Sequence, residues 1–238
     1  MRIGSLGENE APPPAADDPY ARDPVRPPWF EIRNPAPFNA ETNPEMLIKN
    51  FITKNDEFYI RNHLPVPVNP EKDFTLSIRN SAGEVVKTYT LDDLKKFPRH
   101  KVTSTIQCAG SRRSELKKIR PVHGLDWIIT SLGTAEYEGP RLKDVLADAG
   151  LSPDDASVNH VHFKGLDRDA AGEHYVTSVP VGKAWQEEVL LATNMNGEDI
   201  PLDHGYPLRA IVPGVVGARN VKWLSEIYAS TDESTSLW

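Results

Sequence analysis

In the stretch TIQCAGSRRSEL, residues 105–116, the chain's single cysteine, Cys108, precedes Ala109-Gly110 and then the pair Arg112 and Arg113. Thiolate is the form of cysteine that attacks electrophiles and binds metals, and nearby positive charge or a helix N-terminus favours it. Gly110 lets the backbone turn sharply behind the thiol, and the two arginines can open a short helix. The chemistry available here is metal ligation or nucleophilic attack, and the plain alternative is a buried, inert cysteine. One cysteine forms no intrachain disulfide and no zinc site built from several thiolates.

Five basic residues and one acid lie between Arg112 and Arg120, in a chain of formal net charge -7. Such a run is either a solvated helix face or an anion site, because a guanidinium fork matches an oxyanion bidentately. Two other segments have the same character. IRNHLPVP sets Arg61 and His63 beside a rigid proline stretch, and DHGYPLRAIVPGVVGARNVKW interleaves His204, Arg209, Arg219 and Lys222 with glycines that permit close backbone approach. His160 and His162 in NHVHF share one strand face, as two metal ligands can, but no third ligand of matching spacing accompanies them. The chain has no GxSxG elbow, P-loop or GxGxxG turn. Its seven histidines leave open a Cys–His pair of the protease kind.

The acidic balance argues against a general nucleic-acid binder. No stretch reaches the apolar length of a membrane span, and MRIGSLGENEAPPP lacks the apolar core of a secretory signal. The expectation is a soluble intracellular protein.

The elements that must position these residues follow a division at about residue 36. Residues 1–36 are rich in proline and charge and read as an extended arm, which the aromatic residues of WFEIRNPAPFNAE can pin to the body. Residues 37–238 read as one domain. NPEMLIKNF predicts a short capped helix, LDDLKKFP a turn or two of helix, and PRLKDVLADAG a helix closed by Gly150. DFTLSIRN, GEVVKTYT, HKVTSTIQ, VNHVHFKG, EVLLATNMNG, LRAIVPGVVG and VKWLSEIYAS predict strands. Strands of mixed pattern with short helices between them indicate an α+β fold of mixed sheets rather than a doubly wound one.

Taken in order, FYIRNHLPVP, STIQCAGSRRSEL, HFKGLD, MNGEDIPLDHGYPLRAIVPGVVGARNVKWL and the closing DEST resemble the molybdenum-binding domain of the sulfite oxidase family, from about Pro37 onward. The resemblance implies a molybdopterin-binding fold of the sulfite oxidase type, holding molybdenum on a pyranopterin (molybdopterin). Cys108 becomes the thiolate ligand of the metal, while the pterin dithiolene brings the remaining sulfur. Soft thiolate suits such a metal. By similarity the cofactor is held by Tyr59, Ile60, Arg61, Asn62 and His63, by Asp167, His204, Arg209 and Lys222, and by backbone near Asn220 and Val221.

The substrate implied is sulfite or a similar small oxyanion, oxidised to sulfate by oxo transfer from the metal. Arg61 and Arg113 match positions lining the family's anion pocket, and Trp127 in HGLDW matches an aromatic wall. The electron acceptor would be a cytochrome or dioxygen, and the compartment mitochondrial, peroxisomal or cytoplasmic. The nitrate reductases of the family carry a longer stretch after the arginine pair and glycine where this chain has Leu64, so RRSEL and HLPVP resemble the sulfite-oxidising branch. Nitrate reduction and a non-catalytic cofactor-binding module are the alternatives.

Two departures from the family stand out. Ser111 replaces the usual asparagine, and a serine there is expected to cap the following helix and preserve the turn. Family members also continue past the point matching Trp238 into a segment with an active-site tyrosine and an immunoglobulin-like dimerisation domain that brings another substrate-pocket arginine. That domain is absent from this chain, and Tyr206 and Tyr228 do not occupy the tyrosine's place. A fragment, a minimal cofactor domain and a pocket completed by another subunit are the three readings of this.

Overall fold

The computed structural model describes residues 18–236. The first part of the proline-rich arm, residues 1–17, and the last two residues of the chain lie outside them. Within the described residues, fourteen strands form four sheets connected by helices of one or two turns. The fold is α+β, as the mixed strand pattern indicates.

The largest sheet orders β5 (Val85–Thr90), β4 (Thr75–Arg79), β14 (Leu224–Ser230), β8 (His160–Arg168) and β9 (His174–Pro180). The β14–β4 pair is parallel, and its other neighbours are antiparallel. Its inner face packs Leu76, Ile78, Phe163 and Ile227 against Leu142, Val145 and Leu146 of the helix Leu142–Asp148. Those helical residues stand three and four positions apart, which stacks them on one face. Gly150 follows with φ +81°, the left-handed turn expected of a C′ glycine.

The second sheet orders β12 (Glu198–Asp199), β11 (Asn194–Met195), β7 (Leu132–Gly139) and β6 (His100–Gln107). Beside it β10 (Leu190–Ala192) pairs with β13 (Arg209–Ile211). Phe58, Ile106, Tyr137, Met195 and Ile211 fill the space between them. The third sheet runs β1 (Glu31–Pro35), β2 (Phe38–Glu41) and β3 (Ile60–Arg61), with Phe30, Phe38, Ala40 and Ile60 as its small core.

Several strands lack a strong sequence signal. LGTAEYEG forms β7, whose inward residues are Gly133, Ala135, Tyr137 and Gly139. Small residues give almost no apolar alternation, yet they are required there, because a Cβ on Gly133 would meet the Phe58 ring at 2.5 Å. HYVTSVP forms β9, and its Thr177 and Ser178 are buried by sheet neighbours despite their polarity. EVLLATNMNG splits between β10 and β11 in different sheets, and VKWLSEIYAS becomes regular only from Leu224, after Trp223 takes φ 50°.

Candidate active site

Cys108 is the first residue after β6, at the end where Gln107 pairs with Leu132 of β7. Its N–H donates to the Ser131 carbonyl at 2.9 Å, the Arg112 N–H to Ile128 O at 2.5 Å, and the Ser114 N–H to Trp127 O at 3.1 Å. These bonds lay the thiol loop along residues 127–131. That support is held in turn by Glu41, whose fully buried carboxylate accepts the N–H groups of Ile128 at 2.8 Å and Thr130 at 3.1 Å and the Arg33 Nε at 2.6 Å. The Gly110 N–H donates to Cys108 Sγ at 3.4 Å. A Cβ at Gly110 would lie 2.6 Å from Trp127 Cδ1, so the turn can lie against the indole only without a side chain.

The turn survives the Asn-to-Ser departure, but Ser111 does not cap. The helix Arg113–Leu116 is a single turn whose N-cap is Arg112, in left-handed conformation (φ 63°) with no side-chain cap. Ser111 instead sits inside the turn, its N–H donating to Cys108 O at 3.0 Å. The basic run divides accordingly. Arg112 is exposed and pairs with Glu115, as a wet helix face would, whereas Arg113 points inward, Nη1 donating to Leu125 O at 3.2 Å.

Sγ of Cys108 opens onto a cavity of about 850 Å³ including its mouth. Tyr59, Arg61, His63, Arg113, Asp167, His204, Arg209, Asn220, Val221 and Lys222 share its wall. Three further residues expected in the site do not line it. Strand alternation turns Tyr59 and Arg61 to the cavity and Ile60 to the small core on the other face. Asn62 sits behind the wall, bonded to Asp203 and Lys222. Trp127, fully buried, stands behind Gly110 and edge-on to Tyr59 at 6.4 Å rather than forming the pocket surface.

The cavity also takes in Phe58, Tyr175, Asp203 and Ala218, which single-sequence reasoning passed over. Asp203 had a signal, an acid directly before His204; Tyr175 had none, since only the β8–β9 pairing brings it there. His160 and His162 lie elsewhere. His162 stacks on Tyr228 at 4.4 Å and Nε2 donates to Asp232 O at 2.8 Å. Among the described residues no group of three His, Cys, Asp or Glu side chains is placed to hold a metal ion. A metal at Cys108 thus needs most of its ligands from a cofactor.

Burial dominates the electrostatics. It pushes His63 down to about 3, with Arg61 and Lys222 adding to the effect, and His204 down to about 4, with Arg209 adding. Both imidazoles are therefore neutral near pH 7. His204 Nε2 is 2.9 Å from Asn55 O and must donate to it, so Nδ1 is left as an acceptor. Burial also lowers Arg61, opposed by Cys108 and Tyr175. Its Nη1 is fixed by Asn39 Oδ1 at 3.0 Å and Asn62 O at 2.6 Å. Asp167 is raised to about 7 by burial, against the pull of Lys222, and its Oδ1 has no partner.

The donor set fits a molybdenum–pterin group. Cys108 offers a soft sulfur ligand on the cavity wall, where a thiophilic metal needs one. Arg61, Arg113 and Arg209 bring positive charge to the cavity, and Lys222, which burial lowers to about 7 against the pull of Asp203, adds to it when an anion is bound, as a phosphorylated ligand requires. The orphaned Asp167 Oδ1 offers an acceptor to a ring N–H or amino group. Gly217 would place a Cβ 2.8 Å from the Tyr59 hydroxyl, so the wall there is backbone that a flat ligand can approach.

A mixed-sheet α+β domain with one thiol in a cationic cavity defines the class, and a family model described as oxidoreductase molybdopterin binding domain matches residues 63–238. The chain belongs to this family, and a molybdenum–pterin cofactor goes with membership. It is 47% identical over 241 residues to the mitochondrial sulfite oxidase of Rattus norvegicus, covering all of this chain and 44% of that protein. A nitrate reductase [NADH] of Phaseolus vulgaris is 34% identical over 84% of this chain and 23% of its own. The sulfane dehydrogenase SoxCD of Paracoccus pantotrophus superposes with a TM-score of 0.70 at 25% identity, over 98% of this chain and 57% of that one. The chain thus spans less than half the length of the rat relative.

Proposed function

We propose that this domain takes part in oxidising sulfite to sulfate, with Cys108 as the protein ligand of molybdenum. The observation that carries the proposal is the placement of Cys108 Sγ on one cavity wall with Arg61 and Arg113. Higher identity to the sulfite oxidase than to the nitrate reductase supports sulfite over nitrate.

When bound, the cofactor supplies two-electron redox chemistry and an oxygen atom for transfer. The protein's own part is electrostatic and positional. Arg61 and Arg113 offset the charge of an approaching dianion, and neither acts as a proton donor, because guanidinium does not titrate in this range. Arg61 is kept in place by Asn39 and Asn62 O, and the Arg113 Nη1 by Leu125 O, so their cost of ordering is met before substrate arrives. Trp127 acts from behind Gly110, fixing the turn that carries the thiol. Lys222 and Arg209, on the same cavity lining, would hold the cofactor's phosphate, while Asp167, Asn220 and neutral His63 and His204 would offer hydrogen-bonding groups to the pterin. Electrons pass on to a cytochrome or dioxygen. The homodimer that the family resemblance implies, and an intracellular site such as the mitochondrion named for the rat relative, complete the reading.

The test is metal and pterin analysis of the purified chain, followed by sulfite-dependent reduction of an artificial acceptor. Molybdenum close to one per chain is expected. Cys108→Ser should keep the fold and lose all sulfite-dependent reduction. A Cys108→Ser protein with undiminished activity would show that the ligand assignment is wrong.

A further inference from the structure

Arg26, from the segment preceding β1, reaches the cavity wall from outside. Its guanidinium makes two parallel bonds to one carboxylate, Nε to Asp203 Oδ2 at 2.8 Å and Nη2 to Asp203 Oδ1 at 2.9 Å. Asp23 accepts from the same Nη2 at 2.9 Å, and the Phe38 ring lies 4.1 Å from the guanidinium carbon. Both members of the Arg26–Asp203 pair are nearly shielded, with side-chain exposures of 11% and 10%. Shielded, bidentate and backed by an aromatic face, the pair is unlike an exposed surface bridge, whose worth is usually small.

Asp203 also has an inward connection. Its Oδ1 accepts the Asn62 Nδ2 at 3.2 Å, and its backbone carbonyl accepts Lys222 Nζ at 2.8 Å. Lys222 in turn donates to Asn62 Oδ1. Asp203, Asn62 and Lys222 therefore form a closed ring of hydrogen bonds, of which only Asp203 and Lys222 reach the cavity. Arg26 occupies the outward side of the carboxylate. Without it, the Asp203 carboxylate would keep only the Asn62 amide, and Lys222, already bonded to the Asp203 carbonyl, would be the adjacent cation free to turn to it in competition with any anion in the cavity.

We infer that Arg26 and Asp203 are positioning residues for the bound cofactor: Arg26 holds the Asp203 carboxylate outward, so that Lys222 is presented to the cofactor's phosphate instead of being neutralised by its neighbour. The inference rests on the reading of the cavity as a molybdenum–pterin site. Neither residue touches the reacting atoms. Arg26 lies upstream of the residues that the family model matches, so this part of the site is built by the segment outside that core.

The test uses the cofactor-loaded protein and follows release. Wild type, Arg26→Ala, Arg26→Lys and Asp203→Asn are diluted, and free pterin is measured in the filtrate by fluorescence after oxidation, with molybdenum measured in parallel. Arg26→Ala should release pterin at least ~10-fold faster, the scale of losing a support behind a ligand-holding group. Arg26→Lys should fall between Ala and wild type, since a single ammonium cannot bridge both carboxylate oxygens. KM for sulfite should stay within about 2-fold of wild type for the Arg26 variants, because the anion pocket is not what they alter. Release within 2-fold of wild type in both Arg26→Ala and Asp203→Asn overturns the inference. So does faster release in Arg26→Ala that tracks an equal fall in the melting temperature of the cofactor-free protein and is not relieved by lysine. If the wild type itself never holds pterin, the reading of the cavity fails, a result distinct from either.

Discussion

The Glu41 carboxylate accepts the backbone N–H of Thr130 at 3.1 Å across 89 residues of sequence. With its second acceptor bond, from Ile128, it ties the third sheet to the segment on which the thiol loop lies. Removing one partner of a fully desolvated, hydrogen-bonded charge leaves the others unsatisfied. Glu41→Ala should therefore cost roughly 3–5 kcal/mol of stability, and Glu41→Gln distinctly less, because the amide keeps one acceptor. Urea unfolding of the cofactor-free protein measures both; equal midpoints for Glu41→Ala and wild type would exclude the clasp.

Arg113 should separate from the cofactor-holding residues in kinetics. Arg113→Met removes a half-buried cation from the mouth of the anion pocket, worth about 1.5–3 kcal/mol of charge-assisted binding. The expected outcome in an active, cofactor-loaded enzyme is a rise in KM for sulfite of about 10-fold or more with unchanged molybdenum content. A variant with normal KM and reduced molybdenum would place Arg113 with the cofactor instead.

Gly165 marks a close approach behind the cavity. A Cβ there would overlap Asp167 Oδ1 and lie 3.0 Å from the Lys222 carbonyl. Since β8 is anchored on both sides, the carboxylate has to give way first. Gly165→Ala should lower pterin retention several-fold while the far-ultraviolet circular dichroism stays that of wild type; full retention would show that Asp167 makes no contact with the cofactor.

Acid should weaken the cofactor-free domain through its two neutral histidines. Their pKa values in the folded protein, about 4 for His204 and about 3 for His63, lie below the ordinary value of 6.5. Between pH 6.5 and 4 the unfolded chain therefore binds more protons, and stability falls as pH falls. Above 6.5 this contribution is complete. His204→Gln should flatten the decline in the urea midpoint over that window, and an unchanged slope would mean that His204 does not titrate on unfolding.

Sequence and tertiary structure divided the work unevenly. Family resemblance grouped Cys108 with the arginine, histidine and lysine motifs, and the residue order alone settled the α+β class, the long strands β4, β5, β6, β8 and β14, and the helix ending at Gly150. Those features follow from local chain periodicity and from side-chain chemistry, which each segment carries with it. Folding decided which side of each segment faces the cavity. Only strand alternation separates Arg61 from Ile60, and only the turn after Cys108 sends Arg113 inward and Arg112 to water. Strands β7 and β9 became legible through their neighbours, since Gly133 fits because Phe58 lies against it and Tyr175 reaches the cavity by its pairing with β8. The supports supplied by Glu41 and Arg26 depend on contacts 87 to 177 residues apart in the chain, where spacing gives no signal and packing alone selects the partner.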